Sequence, residues 1–81
     1  MMVRVRVFAS LRERIGRPEL DWTLADDATV GDLWQAVCAA HPALADTGAS
    51  VSFAVNQEYV ARHHRLHPGD EVALIPPVSG G

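Results

Sequence analysis

The plainest chemistry in this 81-residue chain belongs to its last six residues, Pro76-Pro77-Val78-Ser79-Gly80-Gly81. Two glycines lack side chains and adopt backbone conformations closed to bulkier residues, so they can pass through a very narrow channel. The candidate reacting group beyond them is the carboxylate of Gly81. The prolines fix φ and favour an extended path, and the last five residues span at most about 17 Å, at roughly 3.3–3.6 Å each. The expectation is an arm in which Pro76, Pro77, Val78, Ser79 and Gly80 thread Gly81 into a partner's active site. The competing reading is a frayed tail of small residues.

Other reactive side chains fit bland roles better. Cys38 falls on the apolar face of a predicted helix, and free cysteine behaves as a small hydrophobe, so it is expected in the core. His63, His64 and His67 lack cysteine or carboxylate partners at ligand spacing, which makes them solvated loop residues and leaves no metal site. Asp70 and Glu71 are adjacent, point apart on a strand, and read as a turn aspartate beside a surface glutamate. Trp22 and Trp34 are expected in the core.

The elements that must carry the arm follow from periodicity. Val3, Val5 and Val7 alternate with Arg4, Arg6 and Phe8, which predicts a first strand with its valines inward. Ser10-Leu11-Arg12-Glu13 has capping-box spacing and Gly16 suits a helix stop, giving a short helix over 10–15. Leu20, Trp22 and Leu24 mark a second strand, closed by Asp26-Asp27. Thr29 can cap the main helix, and Val30, Leu33, Trp34, Val37 and Cys38 form its apolar face until His41-Pro42 ends it. Residues 43–50 read as an irregular connection. Val51, Phe53 and Val55 make a third strand, Asn56-Gln57 a turn, 58–61 a short strand, Leu66 a loop anchor, and 67–70 a turn. Residues 71–75 form the last strand, with Val72 and Leu74 inward. One mixed sheet packed on one main helix accounts for this order, an α+β domain over 1–75 with a tail over 76–81.

Composition excludes several classes. The net charge is −3 with 48% apolar residues, and all seven basic residues are arginine, scattered without a stripe, so no nucleic-acid partner is expected. No apolar run reaches the length of a membrane span, and Met1-Met2-Val3-Arg4 lacks the pattern of a secretory signal. A single cysteine cannot form an internal disulfide. These features point to a soluble cytoplasmic protein. The absence of lysine also means that an activated Gly81 could form no isopeptide bond to a lysine of its own chain.

If the valines of the first strand face inward, Phe8 faces outward, and Ile75 likewise opposes Val72 and Leu74. With the first and last strands adjacent, Phe8 and Ile75 would meet at the root of the arm, extended by Tyr59. Such an exposed apolar patch marks an association surface.

Three segments complete a pattern: Val7-Phe8-Ala9-Ser10-Leu11-Arg12-Glu13, Ala54-Val55-Asn56-Gln57-Glu58-Tyr59-Val60, and Gly69-Asp70-Glu71-Val72-Ala73-Leu74-Ile75 running on into the Pro-Pro-Val-Ser-Gly-Gly end. Over its whole length the chain resembles the small, sulfur-carrying subunits of molybdopterin synthase, in the MoaD/ThiS ubiquitin-like family. The resemblance implies the ubiquitin-like β-grasp fold. It also implies a cycle on Gly81: adenylation with ATP by a ubiquitin-activating-like adenylyltransferase, then conversion to a thiocarboxylate with sulfur from a desulfurase or rhodanese. The synthase's large subunit would then take the arm and transfer sulfur to cyclic pyranopterin monophosphate. No cofactor is implied on the carrier itself. Phe8, Tyr59 and Ile75 match partner-facing apolar positions, and Ile75 departs from the aromatic residue found there in some relatives. Three alternatives stay open: sulfur carriage to thiazole or cysteine synthesis, a ubiquitin-like protein modifier, and a binding module with an inert tail.

Overall fold

The computed structural model describes residues 1–77; the expectations placed on Val78, Ser79, Gly80 and Gly81 lie outside the described residues. The chain runs through β1 (Met2–Val7), α1 (Ala9–Ile15), β2 (Glu19–Thr23) and α2 (Val30–Ala40). A 3₁₀ segment (Pro42–Ser50) leads on to β3 (Ser52–Val55), β4 (Glu58–Val60) and β5 (Glu71–Ile75). Among the described residues the five strands form one sheet in the order β2-β1-β5-β3-β4. The two central strands, β1 and β5, are parallel, and the remaining pairs are antiparallel.

Alternation sets which face is buried. Val3, Val5 and Val7 of β1, Val72 and Leu74 of β5, and Phe53 and Val55 of β3 all pack into one core against Leu33, Trp34 and Val37 of α2. Burying each such side chain contributes about 1.5–3 kcal/mol relative to leaving it exposed, which holds the helix on one face of the sheet. Trp34 meets Phe53 edge-on, with ring centroids 5.7 Å apart. Trp22 and Cys38 sit at the rim, half-buried rather than enclosed. For Cys38 the reason is angular: at about 100° per residue it lies roughly 80° round the helix from Val30, at the margin of the apolar stripe. Leu24 follows the end of β2 and is half-buried as well.

α2 starts where Thr29 can cap it. The Asp32 N–H donates to Thr29 Oγ1 at 3.2 Å and the Thr29 N–H donates to Asp32 Oδ2 at 2.9 Å, a complete capping box. α1 corrects the expectation placed on Ser10. The helix begins at Ala9 with Phe8 as its N-cap and no side-chain cap. The Phe8 carbonyl accepts from the N–H groups of Leu11 (3.1 Å) and Arg12 (3.4 Å), so the helix starts too early for Ser10 to cap it and Ser10 lies inside its first turn. Ala9 takes φ +50°, a left-handed conformation in which a Cβ is strained. Gly16 at φ +83° closes α1 as expected, donating to the Arg12 carbonyl at 2.7 Å.

Residues 43–50 are not irregular. From Pro42 to Ser50 they form consecutive 3₁₀ turns, with Thr47 Oγ1 donating to the Leu44 carbonyl at 2.6 Å and Leu44 fully buried beneath. Asn56 (φ +50°) and Gln57 (φ +74°) make the expected turn between β3 and β4, whose two left-handed residues match the twist of a tight hairpin. The stretch after β4 is laced to the start of α2: Val30 N–H donates to the His64 carbonyl at 3.0 Å, Gly31 to Arg62 at 2.8 Å, and Leu66 to Ala28 at 3.0 Å. Leu66 is buried, as its anchor role required.

Candidate functional site

β1 and β5 run side by side in the same direction and end together, so the residues at their ends meet where the arm begins. Val7 pairs with Leu74, and the Phe8 N–H donates to the Leu74 carbonyl at 3.3 Å. Phe8 and Ile75 thus flank each other on the face of the sheet opposite α2. Phe8 is 39% exposed and Ile75 is half-buried. Pro76 follows half-buried and Pro77 exposed.

Tyr59 is 73% exposed on the same face. It pairs with Ala54, Ala54 with Ala73, and Ala73 with Arg6, so one row crosses four strands. Tyr59 therefore stands about 10 Å from β5, two strand spacings away, and joins the Phe8–Ile75 pair only through Ala54 and Ala73. Those two alanines were not singled out in the sequence. They floor a shallow apolar strip between the larger side chains, and alternation along β3 and β5 was sufficient to place them there.

Beside this strip the β1–β2 part of the face carries charged pairs, and Met2, 52% exposed next to Thr23, lies beyond them. Arg4 Nε lies 3.4 Å from Asp21 Oδ1, Arg6 Nε 3.7 Å from Glu19 Oε1, and Arg6 Nη1 3.6 Å from Glu71 Oε1. The β4 edge carries an open groove of about 370 Å³, lined in part by Ser52, Tyr59 and Arg62. Among the described residues no three or more His, Cys, Asp or Glu side chains are placed to hold a metal ion. His63 and His67 are exposed and His64 half-buried.

Asp70 is the turn aspartate the sequence suggested, but it is buried and accepts hydrogen bonds from the His67 N–H (2.8 Å) and Asn56 Nδ2 (3.0 Å). It ties the turn before β5 to the β3–β4 turn, at the end of the sheet away from the arm. Burial raises the pKa of the Cys38 thiol above its ordinary value, with the nearby Arg62 charge opposing part of the rise. A thiol so placed is a poorer nucleophile than a free one.

The ThiS family model matches residues 5–81, from the middle of β1 through the remaining strands and both helices to the Gly-Gly end. The chain belongs to the ThiS family. Among its curated relatives, the molybdopterin synthase sulfur carrier subunit of Chlamydomonas reinhardtii is 46% identical, with all of both chains covered. The crystal structure of the small archaeal modifier protein SAMP1 from Haloferax volcanii superposes with a TM-score of 0.88 at 34% identity, again across all of both chains. Another solved neighbour, from Helicobacter pylori, is a complex of subunits 1 and 2 of molybdopterin-converting factor. It covers all of both chains with a TM-score of 0.72 at 28% identity. The fold of this ThiS family member is thus the ubiquitin-like β-grasp. No helix among the described residues is long and apolar enough to cross a membrane.

Proposed function

We propose that this ThiS family chain is the sulfur-carrier subunit of a molybdopterin synthase, in which Gly81 carries the sulfur. The carrying observation is the full-length similarity, at 46% identity, to a relative bearing that name. The apolar strip at the root of the arm supplies what such a carrier needs, a docking face beside the reacting end.

The chemistry explains the design. A carboxylate is a poor electrophile, so an activating adenylyltransferase spends ATP to join AMP to Gly81 and release pyrophosphate. The terminal sulfur of a persulfide, supplied by a desulfurase or rhodanese, then displaces AMP. Thiol cleavage of the resulting acyl disulfide leaves a thiocarboxylate. Splitting one hard substitution into easier steps is the logic of covalent catalysis. The synthase large subunit receives the Phe8–Ile75–Tyr59 face and takes residues 76–81 into its active site, where the sulfur is transferred to cyclic pyranopterin monophosphate. Tethering raises the effective concentration of the sulfur nucleophile and keeps it from water. No side chain of the carrier acts as acid, base or metal ligand in this scheme, and the whole cycle belongs in the cytoplasm.

Removing Gly81 tests the reading. The variant is expected to bind the large subunit nearly as tightly as the intact chain and to support no sulfur transfer; retained transfer contradicts the proposal. A second reading, a protein modifier joined to target lysines, draws on the 34% identity to a small archaeal modifier protein. It requires Gly81-dependent conjugates that survive thiol reductants in lysates. Carriage to thiazole or cysteine synthesis instead requires co-purification with a synthase of that pathway and none with a molybdopterin synthase large subunit.

A further inference from the structure

Phe8 is held in place more firmly than an exposed aromatic at a strand end needs to be. The guanidinium carbon of Arg6 lies 5.5 Å from the centroid of the Phe8 ring. That guanidinium is itself held from both sides, by Glu19 of β2 at 3.7 Å and Glu71 of β5 at 3.6 Å. Glu19 also reaches Arg4 at 4.0 Å, and Arg4 reaches Asp21 at 3.4 Å, so the clamp continues across the sheet. From the other side the backbone fixes Phe8, through its N–H to the Leu74 carbonyl and through Ala9 at φ +50°.

Exposed ion pairs of this length add little to folding stability. Their effect lies in restricting a long side chain. Arginine's planar fork can face two carboxylates while its flat side covers a ring, which lysine cannot do. An arginine flanked by two carboxylates and a ring has its rotamers biased toward the ring before any partner arrives, and preorganisation of this kind lowers the entropy lost on binding. The attraction between the guanidinium and the ring also strengthens as water is excluded from around them.

We propose that Arg6 is a positioning residue for docking: gripped between Glu19 and Glu71, it fixes the Phe8 ring in the orientation that an apolar partner surface receives. This rests on the reading of the outer face as the docking face. Because Arg6 already faces two carboxylates of its own chain, the affinity contributed by Arg6 passes, on this proposal, through the ring instead of through a partner carboxylate.

The test is a double-mutant cycle, reading the dissociation constant of the full chain for the synthase large subunit by calorimetry. Arg6→Gln is expected to weaken binding by about 3–5-fold with Phe8 present. In a Phe8→Leu background the same change is expected to alter binding by less than about 1.5-fold, because the ring it acts through is gone. Arg6→Lys is expected not to rescue. A Glu19→Gln, Glu71→Gln double variant, which keeps Arg6 but frees it, is expected to weaken binding as Arg6→Gln does. Thermal melting of each variant reports any loss of fold separately. Equal weakening by Arg6→Gln in both backgrounds, or none in either, overturns the proposal while leaving the docking face intact. Unchanged binding by Phe8→Leu alone overturns both.

Discussion

At the scale of single residues, Phe8 and Cys38 separate surface function from packing. Phe8 is 39% exposed, so Phe8→Asp is expected to change folding stability by no more than about 1 kcal/mol. The same change places a charge at the Phe8–Ile75 end of the apolar strip, and large-subunit binding is expected to fall at least about tenfold. Melting and calorimetry on the same variant check both halves. Cys38 is expected to be dispensable: Cys38→Ala keeps sulfur transfer at the wild-type rate. Its raised pKa also carries a sign. A thiol held neutral in the fold stabilises fully below its unfolded pKa, and that contribution is lost as pH rises through the folded value. Above about pH 8.5–9 the wild type is therefore expected to lose stability more steeply than Cys38→Ala, as urea unfolding between pH 8 and 10 measures. The outward placement of Phe8 was legible from alternation with Val3, Val5 and Val7. The clamp on Phe8 was not, because Glu19 and Glu71 are distant in sequence and meet Arg6 only once β1 lies between β2 and β5.

At the scale of elements, two polar devices hold the frame. Thr29→Ala removes half of the capping box on α2 and is expected to cost about 1 kcal/mol. Asp70→Ala removes the hydrogen bonds it accepts from the His67 N–H and Asn56 Nδ2, whose donors water can then reach in this otherwise exposed turn, at about 1 kcal/mol. Both should appear as a lower denaturation midpoint with an unchanged slope. The strands and α2 were readable because their apolar period matches their geometry. α1 was readable only in part, since Ser10-Leu11-Arg12-Glu13 satisfies capping-box spacing while the N-cap falls at Phe8 and Ala9 already turns into the helix. The 3₁₀ segment was hidden for another reason. Asp46, Thr47 and Gly48 are turn formers, and a run of turns becomes a helix once Leu44 is buried from above by α1 and α2.

At the scale of the molecule, the parallel pair β1–β5 joins fold to function. Two strands that enter and leave the sheet in the same direction bring Phe8 and Ile75 together at the point where Pro76 departs. Arg4 and Arg6, paired with Glu19, Asp21 and Glu71, border the apolar strip on the β1–β2 side of the outer face. On the proposed reading, the folded body supplies the docking surface and the chemistry is done at Gly81. That division of labour predicts that surface variants change affinity, arm variants change transfer, and core variants change stability.

The most direct test of the central claim is the mass of the carboxy-terminal peptide after incubation with ATP, a sulfur donor and the host's activating enzyme. A thiocarboxylate predicts a gain of roughly 16 Da, as sulfur replaces oxygen on the activated acyl group. Fragmentation must confine that gain to Gly81, since methionine oxidation adds a similar mass and the chain's methionines are Met1 and Met2. A gain at Gly81 that disappears when ATP is withheld is the predicted result. An unchanged Gly81 in the presence of a demonstrably active enzyme and donor contradicts the account.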